Sequence, residues 1–145
     1  MSNVVIVNAK RSAIGKFLGG LSGLSSVDIG SKVLNSLIES SKIQKSEVDE
    51  VIMGQVLTGG HGQNPARQTM MLSGIPYEKS AVTINQVCGS GLRAIAMGTQ
   101  SILSGQSEIV IAGGQESMSN SHHTANIRNG IKMGDGSLKD SMIVD

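Results

Sequence analysis

Apolar residues along this chain fall into two rhythms. Four short stretches carry them almost without interruption: Val4 to Val7, Val51 to Leu57, Ala81 to Val87, and a run that begins beside Glu108 and ends at Gly114. Runs of this length, rich in β-branched residues and free of proline, predict strands. Val4-Val5-Ile6-Val7, with no polar residue between its members, predicts a strand covered on both faces of a sheet.

Between these runs the spacing becomes helical. Ser26, with Asp28 in the first turn, begins a helix whose Ile29, Gly30, Val33, Leu34, Leu37 and Ile38 share one side, while Asp28, Lys32, Asn35 and Glu39 occupy the other. Asn64 is a good N-cap and Pro65 a good first helical residue, which predicts a second helix to about residue 73. Leu92 to Leu103 predicts a third. Strands alternating with helices at this spacing predict an α/β fold, a mostly parallel sheet with helices on both faces.

The third helix has an unusual surface. Leu92, Ile95, Ala96, Ile102 and Leu103 lie on one face, Ala94, Gly98 and Ser101 almost opposite, and Arg93 is its only charge. A helix with so little polar surface predicts cover on both sides, and its small-residue face predicts close approach of another helix. No further element of the chain is available to cover it, so the fold reads as incomplete by itself.

Elsewhere the pattern is irregular. Lys10 opens a Gly/Ser-rich loop that runs to Ser26, and its basic residues read as a solvated face with no site assigned. Thr58 to Gly62 forms the loop after the second strand, at the sheet end where ligands bind in α/β folds. His61 in that loop reads as an exposed histidine rather than a catalytic one; Gln63 and Asn64 are candidate supporting donors, although capping alone explains Asn64. From Ser117 the chain is polar, then rich in glycine and charge, and reads as an excursion rather than sheet. His122 and His123 have no acid or cysteine beside them, so no metal site is predicted. Ser141 to Asp145 stops in mid-pattern, as in a chain that has been cut.

Composition narrows the classes. At 145 residues the chain suits one α/β domain, and a formal net charge of +1 leaves no electrostatic footprint for nucleic acid or membrane. One Tyr, one Phe and no Trp leave no stacking platform for single strands, and the eight methionines read as core filler. A single cysteine excludes an internal disulfide and any cysteine-clustered metal site, which suits a reducing, cytoplasmic location. Met1-Ser2-Asn3 and the short run after it do not make a signal peptide.

That cysteine, Cys88, carries the chemistry. It stands where the strand Ala81 to Val87 meets Gly89-Ser90-Gly91 and the helix beyond, hence at a helix N-terminus. Unpaired backbone N–H groups and the positive dipole end favour a sulfur anion there and can hold a developing oxyanion. The alternative for an isolated cysteine is burial as a small hydrophobe. Gly89-x-Gly91-x-x-Ala94 also has the shape of a dinucleotide fingerprint, but that fingerprint belongs to the first strand of its unit and needs an acid at the end of the next strand, whereas Glu108 lies at that strand's start.

Ile84-Asn85-x-x-Cys88-Gly89-Ser90-Gly91-Leu92-x-Ala94-Ile95, with Ile102 beyond, resembles the acyl-enzyme signature of the thiolases. Gly62-Gln63-Asn64-Pro65-Ala66-Arg67-Gln68, Ile111-Ala112-Gly113-Gly114-x-Glu116-Ser117-Met118-Ser119, and Lys132-Met133-Gly134-Asp135 with Asp140-Ser141-Met142-Ile143 resemble three further blocks of that family in the same order. The resemblance runs from Val4 to Asp145 and is greatest to the biosynthetic type, the acetyl-CoA acetyltransferases. It implies that residues 1–116 are the thiolase-like N-terminal α/β domain and that 117–145 begin an excursion resembling a tetramerisation loop. It also implies that the third helix and its counterpart from a second, similar half lie between two sheets.

The resemblance implies reversible condensation of two acetyl-CoA to acetoacetyl-CoA and CoA through an acetyl-Cys88 intermediate, with coenzyme A thioesters as substrates, no cofactor and no metal. It implies a homo-oligomer, dimer or tetramer. The family also uses a Gly-His-Pro histidine, an Asn-Glu-Ala-Phe asparagine and a Cys-x-Gly cysteine; none of these motifs occurs in the 145 residues, so the catalytic set is incomplete and the chain alone is expected to be inactive in the full reaction. Two alternatives stay open: a non-catalytic fragment or association domain, and a ketoacyl-synthase-like member of the same superfamily, against which Gly-Gly-x-Glu-Ser-Met argues.

Overall fold

The computed structural model describes residues 3–144. Three parallel strands form its sheet: β1 (Glu50–Gly54), β2 (Ser80–Ile84) and β3 (Val110–Gly114), in the order β2-β1-β3. Helices α1 (Ser26–Ser41), α2 (Pro65–Leu72) and α3 (Ser90–Leu103) complete the layers. The predicted α/β class and parallel sheet are therefore present.

Local chemistry fixes the helix starts. Ser25 caps α1 through a reciprocal box: its Oγ accepts the Asp28 N–H at 3.1 Å and Asp28 Oδ2 accepts the Ser25 N–H at 3.0 Å. The Ser25 hydroxyl and amide hold the Asp28 carboxyl below its ordinary value. Asn64 caps α2, accepting the Arg67 N–H at 3.1 Å, with Pro65 in the first turn.

Alternation along β1 divides the core. Val51 and Met53 face α1 and α2 in a buried cluster with Leu34, Ile38, Ala66, Met70, Ile75 and Ile111. Gly54, on the opposite face, meets the first residues of α3. Helices thus cover both faces, and each aliphatic side chain fully buried between the layers stabilises the fold by roughly 1.5–3 kcal/mol. Asp49 fastens the strand starts together. Its Oδ2 accepts the Glu108 and Ile109 N–H groups at 2.9 and 3.1 Å, and Lys79 Nζ donates to Oδ1 at 3.3 Å. The two amides, then the Lys79 ammonium, hold this carboxyl below its ordinary value.

Three expectations are corrected. Val4 to Val7 form no strand: residues 3–16 make no ladder, and Val5, Ile6 and Val7 are exposed. A strand needs a neighbouring edge within hydrogen-bond reach. This segment is instead held by Asn8, whose Nδ2 donates to Ser40 Oγ and Ser41 Oγ at the end of α1, and a cavity of about 440 Å³ separates residues 10–17 from β3.

The small-residue face of α3 does not receive another helix; it lies on its own sheet. Ala94, Gly98 and Ser101 are buried, and a Cβ on Gly98 would stand 3.1 Å from Val110 Cγ1 and 3.5 Å from Ala112 Cβ. The face with the large side chains points outward, with Leu92 75% and Leu103 60% exposed. Small residues bring the helix close to the sheet, and the bulky ones are left over.

The excursion after Ser117 also contains sheet. Residues His123–Thr124 (β4) pair antiparallel with Lys139–Asp140 (β5), which sets His123 Nε2 4.0 Å from Asp140 Oδ2. Asp145, the end of the expected excursion, lies outside the described residues, as do Met1 and Ser2.

Candidate active site around Cys88

The second and third predicted strands end earlier than their apolar runs. The ladders stop at Gly54 and Ile84, and the next residues leave the sheet to build a site at its carboxyl end. Two bonds prolong the frame: Gln55 N–H donates to Ile84 O at 3.0 Å, and Gln115 N–H to Gly54 O at 2.9 Å.

Between β2 and α3 the chain reverses over Gln86 to Gly89. Gly89 N–H donates to Gln86 O at 3.1 Å, which makes Val87 and Cys88 the central pair of a turn. Val87 has φ 48°, in the left-handed region that a β-branched residue rarely enters. Its N–H donates to Asn85 Oδ1 at 2.9 Å, and its carbonyl accepts the Ser90 hydroxyl at 2.6 Å and the Ser90 N–H at 3.1 Å. Ser90 Oγ in turn accepts the Gln86 N–H at 2.8 Å.

Cys88 is consequently a free, exposed thiol on the crest of this turn, directly before the Gly89 N-cap of α3. In this chain it is not packed into the core. Among the described residues no hydrogen bond from the Cys88 N–H is found.

Cys88 opens into a cavity of about 530 Å³. Its walls also come from Val56 and Leu57 after β1, Glu116 and Met118 after β3, and Met142 from the end of the excursion. Glu116 joins two of these walls, since its carboxylate oxygens accept the Val56 N–H at 2.8 Å and the Leu57 N–H at 3.2 Å. Gln55 and Gln115, which also line the cavity, belong to a buried polar chain. Thr69 Oγ1 donates to Gln115 Oε1 at 2.7 Å, Gln115 Nε2 to Gln55 Oε1 at 3.0 Å, and Gln55 Nε2 to Leu57 O at 3.1 Å.

Other sequence candidates are not brought to the cysteine. Asn64 is occupied at the α2 cap, where its Oδ1 also accepts from Thr83 and its Nδ2 donates to Ala81 O, and neither it nor Gln63 lines the cavity. His61 stacks on His122, ring centroids 5.2 Å apart, which ties the Thr58 to Gly62 loop to the excursion. Among the described residues no group of three or more His, Cys, Asp or Glu could hold a metal, and no helix is long and apolar enough to cross a membrane. Sequence reasoning gave no role to Glu116 or Met142. Both lie inside motif blocks, which was the available signal.

The profile described as thiolase, N-terminal domain, matches residues 4–145. The chain is 56% identical over 144 residues to the acetyl-CoA acetyltransferase of Allochromatium vinosum, covering 99% of this chain and 36% of that protein. It is 51% identical over 146 residues to the probable acetyl-CoA acetyltransferase of Escherichia coli and 49% identical to the acetyl-CoA acetyltransferase of Cupriavidus necator, covering 37% of each. The chain thus spans a little over a third of the length of these relatives. With a matching profile over nearly all its residues and an exposed cysteine where strand meets helix, the chain belongs to the thiolase family, as its N-terminal domain.

Proposed function

We propose that this chain supplies the acyl-accepting half of a thiolase that reversibly condenses two acetyl-CoA to acetoacetyl-CoA and CoA. The observation that carries this reading is the position of Cys88, exposed on a turn before α3 and facing a cavity at the carboxyl ends of the strands. The names of the relatives support the substrate class.

In the first half-reaction the Cys88 sulfur attacks the thioester carbonyl of acetyl-CoA. A bond forms from Sγ to the carbonyl carbon, and the carbonyl pair moves to oxygen, where the Cys88 N–H supplies one donor. Collapse of that oxyanion breaks the carbon–sulfur bond to CoA, which leaves as a thiolate and takes up a proton. Acetyl-Cys88 remains. In the second half-reaction the α-carbon of another acetyl-CoA loses a proton and attacks the acetyl carbon, and the Cys88 sulfur leaves. This chain holds neither the Gly-His-Pro nor the Cys-x-Gly motif, so proton transfer at the α-carbon falls to residues outside it. Coenzyme A thioesters are substrates here, and a homo-oligomer and a cytoplasmic setting are part of the same reading.

Thiolysis of acetoacetyl-CoA by the full-length gene product tests it. Turnover is expected in the full-length protein, none with residues 1–145 alone, and a fall of at least about a thousandfold in full-length Cys88→Ala. Full turnover by Cys88→Ala would leave the non-catalytic reading of this domain in place.

A further inference from the structure

Val87 occupies a position where glycine is the ordinary choice. As the first central residue of the 86–89 turn it has φ 48°, yet its side chain is branched at Cβ and 58% exposed, so apolar packing does little to hold it there. Hydrogen bonds do. The Asn85 carboxamide accepts its N–H, and the Ser90 hydroxyl donates to its carbonyl at 2.6 Å while accepting the Gln86 N–H at 2.8 Å. A single hydroxyl thus spans the turn from its first residue to its second. Ser90 is itself fixed, only 4% exposed and seated over Gly54 at the end of β1. Strain that persists in a sharp strand-to-helix turn presents a nucleophile when the surroundings over-determine it.

We infer that Ser90 is a positioning residue for acyl transfer: by pinning Val87 in the left-handed conformation, its hydroxyl sets the height and direction of Cys88 over the cavity. This rests on Cys88 being the acyl acceptor. Without the hydroxyl, Val87 relaxes toward negative φ, the turn rotates, and the Cys88 sulfur and N–H no longer meet the thioester together. Small misplacements of this kind cost far more in rate than in stability.

The inference makes a coupling test possible, because glycine takes a positive φ without steric penalty. Single-turnover acetylation by acetyl-CoA is followed by mass spectrometry of the Cys88 peptide in four full-length proteins: unmutated, Ser90→Ala, Val87→Gly, and the double variant. Ser90→Ala is expected to slow acetylation about ten- to a hundredfold in the unmutated background, and less than about threefold in the Val87→Gly background. Asn85→Ala, at an exposed residue, removes the other bond on Val87, shows the same dependence on background and substitutes if Ser90→Ala does not fold. Equal losses in both backgrounds, or no loss in either, would overturn the inference while Cys88 of the unmutated protein still became acetylated. Absence of acetyl from Cys88 in the unmutated protein would overturn the acyl-acceptor reading itself, and this inference with it.

Discussion

Gly54 and Ser90 are in backbone contact: a Cβ built on Gly54 would lie 2.6 Å from both the carbonyl carbon and the Cβ of Ser90, and 2.8 Å from Gly91 N. The last residue of β1 is therefore the floor on which the first turn of α3 stands, and the height of Cys88 depends on there being no side chain beneath it. Gly54→Ala is expected to destabilise the fold by about 1–3 kcal/mol, as overpacking does, because backbone rather than a flexible side chain must move. Urea denaturation of the full-length protein measures this. The same variant should acetylate Cys88 more slowly even at temperatures where it is folded.

The buried chain from Thr69 to Gln55 makes a separate prediction. Thr69→Val keeps the shape but removes the donor to Gln115 Oε1, a side chain 7% exposed that sits against Gly30. A buried acceptor left without a donor costs about 1–3 kcal/mol. The denaturation midpoint should fall accordingly.

Stability should decline in acid for a reason that can be located. Asp49 has its carboxyl held below the ordinary value of 3.8 by the Glu108 and Ile109 amides and by Lys79. A folded-state value below the unfolded one stabilises fully above the unfolded value, and the contribution is lost as pH falls through the folded value. Asp49→Asn is expected to be less stable than the unmutated protein at pH 7, with the gap closing below about pH 4. Thermal melts across pH 2.5 to 7 check this; an equal gap throughout would assign the loss to geometry rather than charge.

The outward face of α3 should be sticky in the isolated chain. Leu92, Ile95 and Leu103 are exposed on one side of it, an apolar patch of the kind that marks an interaction surface. Residues 1–145 alone should associate or bind an apolar dye, and Leu92→Lys with Leu103→Lys should reduce both. A monomeric, cooperatively melting chain that binds no dye would contradict this.

Much of this was legible in the residues. The cap at Asn64, the β-branched runs and the glycines around Cys88 act locally, so the start of α2 and the parallel sheet followed from the chain, while the cap of α1 proved to be Ser25 rather than Ser26 and α3 began at Ser90, two residues before Leu92. What depends on distant partners did not follow. Val4 to Val7 have strand composition but no edge to pair with, and only packing decides that the small face of α3 meets the sheet. Nothing in a valine announces φ 48°; the left-handed turn at Val87 is imposed by Asn85 and Ser90. Glu116 and Met142 reach the site through the ends of β3 and the excursion, contacts that spacing along the chain does not encode.

Acetylation of Cys88 tests the central claim most directly. The full-length gene product is mixed with acetyl-CoA, quenched in acid, digested and analysed by mass spectrometry. One acetyl group on the peptide containing Cys88, released by added CoA and absent from Cys88→Ser, is the predicted result. An enzyme that turns over acetoacetyl-CoA at the same rate with Cys88→Ala, with no acetyl on this peptide, would contradict the account and return Cys88 to a surface thiol without a catalytic role.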